Sequence, residues 1–115
     1  MLRTLFVIAA LAALTGCQEA QTKVLIGGTC SPGAGAAPIQ DSIVVVSGST
    51  IRAVGLRKDI PVPQDSERTN LEGKWILPGG AEPIAPGQPA NLVIYNSPET
   101  ATTPVRRMTA GRWNP

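Results

Sequence analysis

The 115 residues include no histidine, which limits the chemistry open to the remaining polar side chains. A hydrolytic metal site needs imidazole or carboxylate ligands and an open position for the water that the ion acidifies. The candidate carboxylates are scattered over predicted turns and show no pair at ligand spacing: Asp41, Asp59, Asp65, Glu67, Glu72, Glu82 and Glu99. We therefore assign no catalytic residue, no metal ligand and no cofactor to this chain alone.

Nucleophilic and phosphate-binding motifs are equally weak. A serine or cysteine nucleophile needs an adjacent base, and the usual base is histidine. The serines of interest fall in predicted turns, where hydroxyl groups cap backbone groups: Ser31, Ser47, Ser49 and Ser97. Gly27-Gly28 and the Gly33–Gly35 segment are not followed by a helix pattern, so neither predicts a phosphate loop. We expect Cys30 to be a small buried hydrophobe rather than a reactive thiol.

The first residues have the pattern of a targeting signal. Arg3 precedes an apolar run from Leu5 to Leu14, which is shorter than the roughly 20 residues of a spanning helix. The flank from Leu14 to Cys17 resembles the lipobox of bacterial lipoproteins, and this resemblance implies cleavage before Cys17 and acylation of that residue. Gln18 resembles the outer-membrane sorting pattern, so the expected location is the cell envelope, lipid-anchored at the outer membrane and facing the periplasm. The alternative is an ordinary secretory signal with a chance cysteine.

These features divide the chain into a signal peptide (residues 1–16), a lipidated tether (residues 17–22) and one domain (residues 23–115). The domain is too short for a (β/α)₈ barrel, which typically takes about 250 residues. Ten Lys and Arg residues face eight Asp and Glu, and the longest basic run is Arg106-Arg107. The composition therefore excludes nucleic acid as an expected partner. Membrane lipid, reached through acylated Cys17, is the partner that the N-terminus predicts.

The domain shows short apolar runs separated by turn residues, which indicates an all-β fold. Ser42–Ser47 and Thr50–Val54 flank Gly48-Ser49, the composition of a type II′ hairpin. Two further hairpins are predicted around Glu72-Gly73 and around Ala110-Gly111. Alternation in the second arm of the Gly48-Ser49 hairpin places Ile51, Ala53 and Gly55 on one face and Thr50, Arg52 and Val54 on the other. Neither face is cleanly polar, which favours a strand covered on both sides. We expect a small β-sandwich of seven or eight strands, with four or five from residues 23–79 and the rest from residues 90–113.

The order of these segments resembles the amidohydrolase superfamily, in particular its imidazolonepropionase- and dihydroorotase-like members. The segments that carry the resemblance are Val24–Thr29, Ile43–Val46, Ser49–Gly55, Asn70–Gly79 and Ile84–Tyr95, followed by Val105–Trp113. In that family, both chain ends form a small sandwich around a central metal-dependent barrel. Members usually carry Asp where this chain has Asn91.

The chain departs from the family after the Pro78-Gly79 step. Family enzymes continue into a His-x-His pair and a barrel, whereas Gly79 here runs into Gly80-Ala81-Glu82-Pro83. We therefore expect a membrane-anchored, non-catalytic sandwich that acts as a binding or accessory module. One alternative is half of a split hydrolase for carbon–nitrogen bonds, with a barrel-type partner chain supplying the metals. The other alternative is an inactive deletion remnant.

The aromatic residues of the domain are Trp75, Tyr95 and Trp113, all in or beside predicted strands. Packing in the sandwich is the default expectation for such residues. Trp113 lies next to Arg112, and this pair of residue types is enriched at interface hot spots. A partner contact at Trp113 is therefore the alternative interpretation.

Overall fold

The computed structural model describes residues 21–96 and 104–115, which form a β-sandwich of two sheets. Cys17, the predicted lipid attachment site, and Ser97 and Glu99 lie outside the described residues. The strands are β1 (Thr22–Ile26), β2 (Thr29–Cys30), β3 (Ser42–Ser47), β4 (Thr50–Leu56), β5 (Glu67–Asn70), β6 (Trp75–Pro78), β7 (Leu92–Tyr95), β8 (Arg106–Thr109) and β9 (Arg112–Trp113). Within the described residues there is no helix, and hence none long and apolar enough to cross a membrane.

One sheet has the strand order β4-β3-β1-β5 and the other has the order β2-β6-β7-β8-β9. The first sheet is mixed, because β1 pairs antiparallel with β3 and parallel with β5. The all-β sandwich is therefore confirmed. The described residues form nine strands rather than the predicted seven or eight, and six of these strands lie between residues 22 and 78. The additional strand is β2, two residues directly after Gly27-Gly28, which is too short to give a periodic signal in the sequence.

The main core lies between the two sheets. The first sheet contributes Leu25, Val44, Val46 and Ile51, and the second contributes Ile76, Leu92, Ile94 and Met108, all at most 2 % exposed. A second, smaller cluster covers the outer face of the first sheet. There the 56–66 connection places Ile60 and Val62 against Val24, Ile43 and Val45. Burial on both faces explains why β3 is a continuous apolar run.

The hairpin predicted around Gly48-Ser49 is confirmed, with Ser47 opposite Thr50 and Gly48 at φ 62°. A bulge shifts the register between Val45 and Val46, and Arg52 is the residue of β4 left without a partner. The bulge reverses the alternation, so that Ile51 and Val54 pack against the main core while Ala53 packs against the outer cluster. The predicted common face for Ile51 and Ala53 is therefore wrong. β4 is also an edge strand of its sheet, although both of its faces carry packed residues.

The hairpin predicted around Glu72-Gly73 is wrong, although the turn itself exists. Lys74 N donates to the Leu71 carbonyl over 2.9 Å, and Gly73 has φ 80°. The two flanking strands belong to different sheets, because β5 pairs with β1 and β6 pairs with β7. The predicted hairpin around Ala110-Gly111 is confirmed, and both turn residues have positive φ, 51° and 81°.

Candidate functional site

The segment from Gly79 to Ala90 occupies the position at which the sequence departs from the amidohydrolase pattern. Its two ends are held together, because Gly79 N donates to the Asn91 carbonyl over 2.7 Å. Ile84, 3 % exposed, and Ala90, fully buried, join the main core. The segment is thus a loop that packs into the sandwich rather than an open gap.

Backbone hydrogen bonds fix this loop along the edge of β4 and against the 31–38 loop. Ile51 N donates to the Gln88 carbonyl, and Gly87 N donates to the Ile51 carbonyl, each over 2.8 Å. Ile84 N donates to the Pro32 carbonyl over 2.9 Å. These bonds satisfy backbone groups that an edge strand otherwise leaves unpaired.

The carboxylates of the described residues do not assemble a metal site. Within residues 21–96 and 104–115 there is no group of three or more His, Cys, Asp or Glu side chains placed to hold a metal ion. Asp41 and Glu72 approach one another only through Arg57, whose guanidinium lies 2.8 Å from the first and 4.0 Å from the second carboxylate. All three side chains are substantially exposed, so these ion pairs contribute little to stability.

Cys30 lies in the main core and its thiol is unpaired and fully buried. Loss of solvent raises the pKa of this thiol from 9.0 to about 12, because burial disfavours the thiolate. The thiolate is the nucleophilic form, and burial disfavours it at Cys30 at neutral pH. The expected role as a small hydrophobe is confirmed.

The side-chain hydroxyls of Ser42, Thr50 and Ser66 donate to backbone carbonyls. Ser42 was not singled out from the sequence, yet it is the buried polar residue of the described chain. Its Oγ donates to the Gly28 carbonyl over 2.7 Å and ties the start of β3 to the Gly27-Gly28 turn. A serine at a predicted strand start gives no signal for this role, because the acceptor is 14 residues away in sequence.

Trp113 is half-buried and packs against the main core. The Arg106 guanidinium carbon lies 3.8 Å from the centre of the Trp113 ring, which is the geometry of a cation–π contact. Trp113 therefore packs in the sandwich, as expected by default, and its ring also contacts Arg106. The neighbouring Arg112 lines a groove at the turn end of the sandwich, which we define as the end containing Gly48-Ser49 and Ala110-Gly111.

The turn end is a junction of backbone segments. Gly48 N donates to the Gln21 carbonyl over 3.0 Å, and Ala90 N donates to the Ser49 carbonyl over 2.9 Å. Gly111 N donates to the Ala90 carbonyl over 3.0 Å, and Ala110 N donates to Asn91 Oδ1 over 2.8 Å. The Asn91 side chain therefore orders the turn between β8 and β9.

Part of the chain resembles hydrolases of the amidohydrolase family. A molinate hydrolase structure is 34 % identical over 53 % of this chain and 13 % of its own, with a TM-score of 0.48. An ochratoxinase from A. niger is 28 % identical over 54 % of this chain and 14 % of its own, with a TM-score of 0.42. The match thus spans about one seventh of each enzyme, and no property of the enzymes follows for the present chain from matches of this extent.

No protein-family model matches the sequence, and no curated protein sequence matches it either.

Proposed function

We infer that the chain is a membrane-anchored lipoprotein whose sandwich acts by binding, as an accessory module, and not by catalysis. The observation that carries the accessory-module part of this proposal is the closure of the sandwich by the segment from Gly79 to Ala90, and the anchor rests on the sequence pattern from Leu14 to Cys17. The ends of the closing segment are hydrogen-bonded together and its apolar residues Ile84 and Ala90 lie in the core. The described residues thus supply both sheets and the packing between them.

The same closure favours the accessory module over the two alternatives. The loop covers the edge of β4 through Gly87 and Gln88, so this edge is not open for pairing with a partner chain. A deletion remnant would leave apolar core positions without cover at the join. Ile84 fills such a position here, since it is only 3 % exposed.

The absence of histidine from the whole sequence supports a non-catalytic role. We expect the purified chain from residue 17 onward, supplied with zinc, to hydrolyse neither amide nor lactone substrates above the rate without protein. Stoichiometric zinc binding together with hydrolysis would overturn the proposal. Repeated co-purification with a histidine-rich barrel protein would instead favour the split hydrolase.

The anchor is tested separately, by mass spectrometry of the N-terminus of the protein isolated from bacterial envelopes. The expected product begins at Cys17 and carries acyl chains on its thiol and amino group. Cys17→Ala is expected to abolish both acylation and retention in the membrane fraction. An unmodified N-terminus in the wild type would contradict the lipoprotein proposal and leave the sandwich unaffected.

The contribution of the closing loop is tested by Ile84→Ala, which removes a buried side chain from the main core. We expect the free energy of unfolding to fall by about 2–5 kcal/mol, the range for large-to-small core substitutions. Glu82→Ala, on an exposed residue of the same loop, is the matched control and is expected to change it by less than about 0.5 kcal/mol. Equal effects in urea denaturation would show that the loop adds nothing to the fold.

A further inference from the structure

A groove at the turn end of the sandwich carries two cations. It is lined by Gln21, Lys23, Gly48, Ser49, Ala110, Gly111 and Arg112. Lys23 is half-buried and Arg112 is exposed, and no acidic side chain lines the groove among the residues that the structure describes. The groove therefore favours an anionic group.

The backbone groups of the lining turns are mostly engaged within the protein. Gly48 N and Gly111 N donate to the carbonyls of Gln21 and Ala90. The charged donors in the groove are the Lys23 ammonium and the Arg112 guanidinium, beside the neutral side chains of Gln21 and Ser49. Arginine binds phosphate in a bidentate manner and lysine binds it as a point charge, so both side chains suit a phosphate group.

The short sequence separation between the groove and the predicted anchor favours a lipid headgroup as the source of the phosphate. Gln21 lines the groove and lies four residues after Cys17 in the sequence. Four residues span at most about 14 Å of fully extended chain. If Cys17 is acylated, the turn end must lie close to the lipid headgroups, within one or two Debye lengths of about 8 Å.

We propose that the groove formed by Lys23 and Arg112 binds the phosphate of anionic lipid headgroups and thereby sets the orientation of the sandwich on the membrane. The proposal rests on the lipid anchor inferred above for its geometry. It assigns the turn end to the membrane and leaves the opposite end, with Asp41, Arg57 and Glu72, facing away. Charge complementarity and the short connection to Cys17 both support this orientation.

Glu67 is the acidic residue next to this groove in the sheet, since it is the register partner of Lys23 across the parallel pair β1 and β5. It does not line the groove. Its carboxylate weakens the local positive potential, so Glu67→Gln is expected to strengthen binding of anionic membranes. Glu67→Gln should therefore change the affinity for anionic membranes in the direction opposite to Lys23→Gln or Arg112→Gln.

The experiment uses the unacylated chain, residues 17–115 with Cys17→Ser, so that the result is independent of acylation in cells. All core residues lie between Val24 and Met108, so the chain retains the whole core. Binding is measured by co-sedimentation with vesicles of equal parts phosphatidylglycerol and phosphatidylcholine, and with phosphatidylcholine alone. The variants are Lys23→Gln, Arg112→Gln, Glu67→Gln and the control Lys58→Gln, an exposed cation in the connection after β4.

We expect preferential binding to the anionic vesicles, weakened about fivefold by each of Lys23→Gln and Arg112→Gln. Lys58→Gln is expected to leave binding to the anionic vesicles unchanged, and high salt should weaken this binding. Inorganic phosphate, titrated against amide resonances, is expected to shift Gly48, Ser49 and Gly111. Phosphate binding without any preference for anionic vesicles would overturn the headgroup assignment, and equal loss in Lys58→Gln would overturn the site. Failure of acylation with intact vesicle binding would contradict only the anchor.

Discussion

At the scale of single residues, Cys30 lies in the main core, and the side chains of Ser42 and Asn91 each bind a backbone group. The burial of Cys30 follows from its residue type and its apolar neighbours. The roles of Ser42 and Asn91 do not, because each binds a backbone group that is distant in sequence, Gly28 O and Ala110 N. Such acceptors and donors become neighbours only when strands pair.

Cys30 is expected to react slowly with thiol reagents in the folded protein. Its pKa is raised from 9.0 to about 12, so the thiolate is scarce at pH 8 to 9. In the Cys17→Ser chain, where Cys30 is the remaining thiol, labelling should become fast only in denaturant. Rapid labelling of the native protein would contradict the burial.

The same pKa predicts the sign of the pH dependence. Between pH 9 and about 12 the folded state retains the Cys30 proton, whereas the unfolded state releases it. The contribution of Cys30 to the free energy of unfolding is therefore fully present below pH 9 and declines as the pH rises from 9 to about 12. Cys30→Ala should lack this component. Denaturant unfolding of the wild type and of Cys30→Ala at pH 8 and pH 10 measures this component. An identical change in the free energy of unfolding of the two proteins between these pH values would contradict it.

Asn91 supplies an acceptor that either an amide or a carboxylate could provide. Its Oδ1 accepts the Ala110 N–H over 2.8 Å. We expect Asn91→Asp to retain this bond and Asn91→Ala to lose about 1 kcal/mol of unfolding free energy. Amide exchange at Ala110, accelerated in the alanine variant only, identifies the bond as the cause.

At the scale of elements, hairpins with two-residue Gly-containing turns were predictable where both strands stay in one sheet. Gly48-Ser49 and Ala110-Gly111 satisfy this condition. Glu72-Gly73 has the same local composition, yet its strands enter different sheets. Turn chemistry fixes the reversal of the chain, whereas the pairing partners are chosen by burial in the sandwich. The bulge at Arg52 was not predictable from the sequence either, because it arises from the register in which β4 pairs with β3.

The turn at Gly48 and the turn at Gly111 lie so close together that there is no room for a side chain at Gly111. A Cβ at Gly111 would collide with the Gly48 carbonyl oxygen, whereas a Cβ at Gly35 would meet nothing within 4 Å. Both glycines have φ +81°, so the backbone strain of alanine is matched, at about 1–2 kcal/mol.

Gly111→Ala is therefore expected to be more destabilising than Gly35→Ala by roughly a further 1–3 kcal/mol. Urea denaturation of the two variants measures the difference. Equal losses would show that the turns do not make the close contact.

At the scale of the whole molecule, one core joins the two sheets. Leu25 and Val44 of the first sheet and Ile76 and Leu92 of the second belong to one buried cluster. The loop from Gly79 to Ala90 adds Ile84 and Ala90 to that cluster. The sandwich should consequently unfold as one cooperative unit.

We expect the unfolding transition seen by tryptophan fluorescence, which reports Trp75 and Trp113 of the second sheet, to coincide with that seen by amide exchange at Val44 and Val46 of the first. The physical reason is that neither sheet can bury its inner face without the other. Separate transitions would indicate two independently stable sheets.

The sequence by itself determined the all-β class, the positions of most strands and the absence of a histidine-based site, because these depend on residue type and short-range periodicity. It also placed a departure from the amidohydrolase pattern at Gly79-Gly80. Only the tertiary structure decided that this join is a loop packed into the core, and that Lys23 and Arg112 share one groove. Those features depend on contacts between residues that are distant in the chain. Such contacts form only when the two sheets pack, and local sequence patterns do not specify them.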